Sequence, residues 1–114
     1  PTYARLVRLD PCTGDASPLE PHGIQGVCGI TTAPDGGVFA VENVGDTLLK
    51  VDPGTGMATS IGPLGFDLGA CGLAWDCSTN RPVGIDSTTG DVFWIDIQSG
   101  SATTCPTCSS SIPQ

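Results

Sequence analysis

Leu48-Leu49-Lys50-Val51-Asp52-Pro53-Gly54-Thr55-Gly56-Met57-Ala58-Thr59 reads as a strand, a tight turn and a second strand. Apolar and β-branched residues flank a cluster of Asp, Pro and Gly, which is the composition of a hairpin. The pattern occurs twice more. Leu6-Val7-Arg8-Leu9-Asp10-Pro11-Cys12-Thr13-Gly14-Asp15-Ala16-Ser17 precedes it, and Val92-Phe93-Trp94-Ile95-Asp96-Ile97-Gln98-Ser99-Gly100-Ser101-Ala102-Thr103 follows it. The leading aspartates of the three copies are 42 and 44 residues apart. A fixed period of this size marks stacked supersecondary units, each burying its apolar surface on its neighbours.

Working outward from each hairpin, the sequence supplies two more strands on the N-terminal side. Val27 to Ala33 reads as a strand, Pro34-Asp35-Gly36-Gly37 turns the chain, and Val38 to Glu42 returns. Asp-Gly between apolar runs is a strong hairpin signal. Cys71 to Asp76, a turn at Cys77 to Asn80, and Arg81 to Asp86 repeat that order. Each full unit is thus four short antiparallel strands, and no sustained helical period interrupts them. The consecutive apolar residues of Leu48-Leu49 and Val92-Phe93-Trp94-Ile95 predict sheets covered on both faces, since a sheet with one wet face alternates.

The Gly-Leu-Ala-Trp-Asp of Gly72 to Asp76, the Gly-Asp-Val-Phe-Trp-Ile-Asp of Gly90 to Asp96 and the Asp-Pro-Gly-Thr-Gly of Asp52 to Gly56 resemble bacterial extracellular β-propeller repeats of the NHL, YVTN and quinoprotein-like kind. The resemblance covers almost all of the chain before Cys105. It implies an all-β fold of four-stranded antiparallel blades, and it leaves activity open, because one fold hosts many functions. The expected organisation is a propeller-like repeat domain over 1–104, with a half blade at about 3–20 and blades at about 27–62 and 71–104. A cysteine-containing tail at 105–114 follows. The chain departs from such propellers in its blade count. End blades left uncovered expose apolar faces and strand edges. Self-association is the expected remedy, as a filament or a ring, with the half blade donating or accepting strands. A segment of a longer propeller and a small disulfide-stapled β-sandwich are the alternatives.

Composition narrows the function. The net charge is −8, and the four basic residues Arg5, Arg8, Lys50 and Arg81 form no patch in the sequence. That argues against nucleic acid as a partner, because phosphate contact relies on Lys and Arg. No apolar run is long enough to span a bilayer as a helix. Six cysteines in a small chain favour an oxidising, extracellular or cell-surface setting. The sequence opens on Pro1 without a leader pattern, which reads as a processed form or a segment of a longer protein.

Cys12, Cys28, Cys71, Cys77, Cys105 and Cys108 are expected to form structural disulfides, some of them linking copies, and spacing alone leaves the pairing undetermined. Cys28 and Cys71 hold equivalent positions in adjacent units. Cys12 and Cys77 fall in turns expected on one rim. Cys105-Pro106-Thr107-Cys108 lacks the helix that a redox pair needs and the following His that haem attachment needs. Asp10, Asp35, Asp52, Asp76 and Asp96 are expected along one edge, where they either gather calcium or cap their own turns; capping is favoured because each Asp recurs with its turn. His22, alone between Pro21 and Gly23, reads as a solvated loop residue. Ser109-Ser110-Ser111 sits in the tail without a nucleophile elbow. No catalytic set emerges, and no cofactor besides calcium is suggested. The expectation is a non-enzymatic, self-assembling structural protein. The alternative is a glycan- or calcium-dependent adhesion module, which the aromatic-poor loops disfavour.

Overall fold

The structure is a computed structural model, and it describes residues 7–18, 26–69 and 71–105. Among the described residues, ten strands form three antiparallel sheets. β1 (Val7–Leu9) and β2 (Ala16–Pro18) make a two-stranded sheet. β3 (Val27–Thr32), β4 (Val38–Glu42), β5 (Thr47–Val51) and β6 (Ala58–Pro63) form a four-stranded meander. β7 (Cys71–Asp76), β8 (Arg81–Asp86), β9 (Asp91–Ile95) and β10 (Ala102–Thr104) form a second meander in the same order. These are the expected blades, called here the middle and last blades. The start of the anticipated first strand at Tyr3, the connector holding His22, and the tail with Cys108 and Ser109 to Ser111 lie outside the described residues.

The two blades pack face to face, with β3 alongside β7. Close approach there needs small residues. A Cβ on Gly29 would press into Leu73 across the junction; within the last blade, one on Gly84 would press into the ring of its paired neighbour Phe93. Between the blades lies the main core: Phe39, Val41 and Leu48 from the middle blade meet Phe93 and Ile95 from the last. Leu64 and Leu68, on the segment joining the blades, complete it. Phe66 meets Phe93 edge-on, with ring centroids 5.1 Å apart. The other face of the middle blade is also buried, through Val38, Ala40, Leu49 and Val51. Every residue of β4 is therefore buried, which accounts for the run of apolar residues without alternation.

Register gives the correspondence between blades that spacing alone leaves ambiguous. Val41 pairs with Leu48 and Ala40 with Leu49 in the middle blade; Ile85 pairs with Val92 and Gly84 with Phe93 in the last. Val41, Phe39 and Leu48 are thus the counterparts of Ile85, Val83 and Val92. The step from Cys28 to Cys71 is 43 residues, and from Val41 to Ile85 it is 44. The first hairpin of the last blade has one more residue in its loop: Thr32 pairs with Val38, whereas its counterpart Trp75 pairs with Pro82. One residue of phase decides which face of a strand a side chain occupies.

Candidate functional site

Five turns share one backbone device. In Asp10-Pro11-Cys12-Thr13-Gly14, Asp52-Pro53-Gly54-Thr55-Gly56, Asp76-Cys77-Ser78-Thr79-Asn80, Asp86-Ser87-Thr88-Thr89-Gly90 and Asp96-Ile97-Gln98-Ser99-Gly100, the N–H of the last residue donates to the first carbonyl at 2.7–2.8 Å. The last residue has positive φ in all five, from 57° to 85°, which selects Gly or Asn. The leading aspartate accepts from the N–H two residues on, at 2.8–3.1 Å, in each turn. Asp35 does the same for Gly37. Asp10, Asp35, Asp52, Asp76 and Asp96 are therefore engaged in their own turns. Among the described residues, no three His, Cys, Asp or Glu side chains come together as a metal-binding group.

Asp76 departs from the others. Its carboxylate accepts from the hydroxyls of Ser78 and Thr79 at 2.7 Å each and from the Trp94 indole N–H at 3.0 Å. The Thr79 hydroxyl, the Trp94 N–H and the Ser78 hydroxyl together hold it far below the usual carboxylate range. The Arg81 guanidinium lies over the Trp94 ring, 5.1 Å from its centroid.

The opposite edge carries acidic residues that the sequence reading passed over. Glu42 accepts from Val44 and Gly45, and Asp46 accepts from the Leu68 N–H at 2.9 Å. Asp86, buried at 2% exposure, accepts from Gly69 and Thr88. Burial works against its ionisation, but hydrogen bonds from Gly69, Thr88 and Thr89 outweigh that and lower its pKa. Asp46 and Asp86 thereby fasten the joining segment to both blades. The signal was available: Asp86 to Gly90 has the same Asp-x-x-Thr-Gly form as Asp52 to Gly56.

The six cysteines divide. Cys28 and Cys71 form a disulfide across the innermost strands, with Cα atoms 5.4 Å apart. A register shift between Val27 and Gly29 leaves Cys28 out of the ladder, and such bulges re-aim a side chain. Cys105 is also disulfide-bonded. Cys12 and Cys77 are exposed free thiols within this single chain, which leaves the expected bridges between copies as the place for them. They sit in turns of separate sheets, so no ladder or bulge brings them together.

Two surfaces stand out. A cleft of about 240 Å³ opens at the junction of the blades, lined by Asp35, Phe39, Lys50, Trp75, Asn80 and Ile97. Phe39 and Trp75 are stacked at 6.1 Å, and Lys50 Nζ sits 5.5 Å from the Phe39 centroid. The Trp75 indole N–H is buried without a hydrogen-bond acceptor. The second surface is the outer face of the last blade, a shallow apolar depression of about 320 Å³ formed by Gly72, Ala74, Val83, Ile85 and Val92. Ile85 is 38% exposed, while its counterpart Val41 in the middle blade is fully buried. At the other end, Val7 and Leu9 of β1 are 47% and 62% exposed, whereas their counterparts Phe93 and Ile95 are fully buried.

No protein-family model matches the sequence, and no curated protein is significantly similar to it. Solved structures are similar in fold. A catalytically inactive virginiamycin B lyase from Staphylococcus aureus with quinupristin superposes with a TM-score of 0.63 and 17% identity, over 91% of this chain and 35% of the lyase. The PQQ-bound aldose sugar dehydrogenase from Streptomyces coelicolor gives 0.51 and 17%, over 91% of this chain and 34% of the enzyme. The chain spans about a third of the length of these structures. Their likeness shows the β-propeller-type fold of this chain.

Proposed function

We propose that this chain is a non-enzymatic structural module of an extracellular or cell-surface assembly, joining copies of itself end to end through blade faces. One observation carries the reading. Exposed Ile85 with half-buried Val83 and Val92 at one end of the repeat, and exposed Val7 and Leu9 at the other, are the counterparts of residues that bury each other between the middle and last blades. The junction already built inside the chain is thus a template for a junction between chains. Such a contact is heterologous, one surface meeting a different one, and it propagates or closes according to its rotation. The disulfides support an oxidising setting. Among the described residues no helix is long and apolar enough to cross a membrane.

Sedimentation velocity over a hundredfold concentration range tests this. The expected result is a mass that rises with concentration above the 11.5 kDa of one copy. Ile85→Glu, which sets a charge in the open face, is expected to abolish the rise while leaving the circular dichroism spectrum unchanged. A monomer at every concentration would overturn the proposal.

The junction cleft favours a second reading, a glycan-binding module. Half-buried Trp75, stacked on the buried Phe39 and beside the polar ends of Asp35, Lys50 and Asn80, offers an aromatic surface with hydrogen-bonding groups at its border. Oligosaccharide binding lost in Trp75→Ala, with the fold retained, would support it; an array without binding on a broad panel would remove it.

A further inference from the structure

The end-to-end reading leaves two exposed thiols unaccounted for, and the internal repeat says where they go. We propose that Cys77 of one copy and Cys12 of the next form a disulfide across the junction between copies. This rests on the end-to-end reading and adds to it a covalent bond of defined partners.

The argument runs through counterparts inside one chain. The 43-residue step from Cys28 to Cys71 also carries Pro34, in the β3–β4 turn, onto Cys77 in the β7–β8 turn. The alignment of Asp10 with Asp96 carries Pro11 and Cys12 onto Ile97 and Gln98 in the β9–β10 turn. Those two turns meet at the blade junction. Ala33, Pro34 and Asp35 share a cleft with Ile97, and Ile97 packs on the cluster that contains Ala33. When the last blade of one copy receives β1–β2 of the next in the same geometry, Cys77 takes the place of Pro34, which lines that cleft, and Cys12 the place of Gln98, the residue next to Ile97 on the cleft's other side. Both thiols are free and exposed in the single copy, as a bond formed on assembly requires.

A second observation concerns the room for this approach. Gly100, at the end of the β9–β10 turn, lies so close to Gly62 of the middle blade that a Cβ would overlap its carbonyl. Gly14, its counterpart after Cys12, has the same positive φ of 79° and nothing within 4 Å. The contact that Gly100 makes within the chain stands open at Gly14.

The chemistry balances with a small-molecule disulfide such as oxidised glutathione. One protein thiolate attacks it, releasing one small thiol and leaving a mixed disulfide on the protein. The second protein thiolate then attacks the mixed disulfide, forming the Cys12–Cys77 bond and releasing the second small thiol. Two protein thiols are oxidised and one small disulfide is reduced to two thiols.

The bond is directional, and single variants read this out. Under a glutathione redox buffer, the 114-residue chain is expected to give a ladder of covalent multimers on a non-reducing denaturing gel. Cys12→Ser alone and Cys77→Ser alone are each expected to lose the ladder while still associating in sedimentation. Mixed in equal amounts, the two variants should give one covalent dimer and nothing larger. Mass spectrometry of a mixture of unlabelled and ¹⁵N-labelled chains should find the Cys12 and Cys77 peptides joined with crossed labels. A dimer from either single variant alone, or Cys12–Cys77 peptides found solely with matching labels and none with crossed labels, would overturn the proposed bond. Association of wild-type chains with no ladder would overturn the bond and leave the end-to-end reading standing. Monomers alone would remove both.

Discussion

A single turn position illustrates how much of this molecule rests on backbone conformation. Gly14 and Gly100 have the same φ to within a few degrees, 79° and 85°, but only Gly100 is packed against another backbone. Gly14→Ala is expected to cost about 1 kcal/mol, the conformational penalty alone. Gly100→Ala must also displace Gly62 and should cost more than twice as much; urea unfolding of the two variants compares them directly. Asp86 gives a pH prediction. Its folded pKa is lowered, so its contribution to stability is present above the unfolded value near 4 and is lost as pH falls through the folded value. Wild-type urea midpoints should therefore fall below about pH 4. Asp86→Asn should be less stable at pH 7 by about 1–3 kcal/mol, with a flatter acid limb. Because the aspartates of the turn edge accept from the N–H two residues on in their own turns, a chelator is expected to leave the thermal midpoint unchanged. A calcium-dependent rise of several degrees would contradict that assignment.

At the scale of the elements, the strand–turn–strand repeat was legible because its signals are local. Asp-Pro-Gly-Thr-Gly predicts its own turn, and apolar runs predict strands covered on both faces. The equivalence of Cys28 and Cys71 was visible for the same reason, though not their pairing, which depends on a bulge that aims one sulfur at the other. What spacing left unresolved is phase. The loop from Thr32 to Val38 is one residue shorter than that between their counterparts Trp75 and Pro82, which shifts the counterpart of Val41 from Gly84 to Ile85, and with it the knowledge of which face is open. The Asp46 and Asp86 contacts to the joining segment were hidden because they depend on how the blades meet. The Cys28–Cys71 bridge closes a 43-residue separation, for which loop-closure entropy gives about 4 kcal/mol. The Cys28→Ser, Cys71→Ser double variant should lose stability on that order, measured by denaturant unfolding against the wild type.

For the whole molecule, the dominant fact is that its two ends are different surfaces. A protein whose ends match each other pairs once and stops. Here the last blade presents Ile85 and Val92, and β1 presents Val7 and Leu9, so in the proposed assembly each copy used at one end would still have the other end free. The net charge of −8 on every copy opposes this, and association should tighten as salt screens the repulsion, which sedimentation at 20 mM and 300 mM sodium chloride would measure. In the proposed assembly the same asymmetry would give growth a polarity and make it vulnerable to poisoning. An Ile85→Glu copy retains an intact β1 surface, can still dock onto a growing end, and then offers no seat for its successor. A small fraction of such chain terminators mixed into the wild type would shorten the assembly far beyond their proportion.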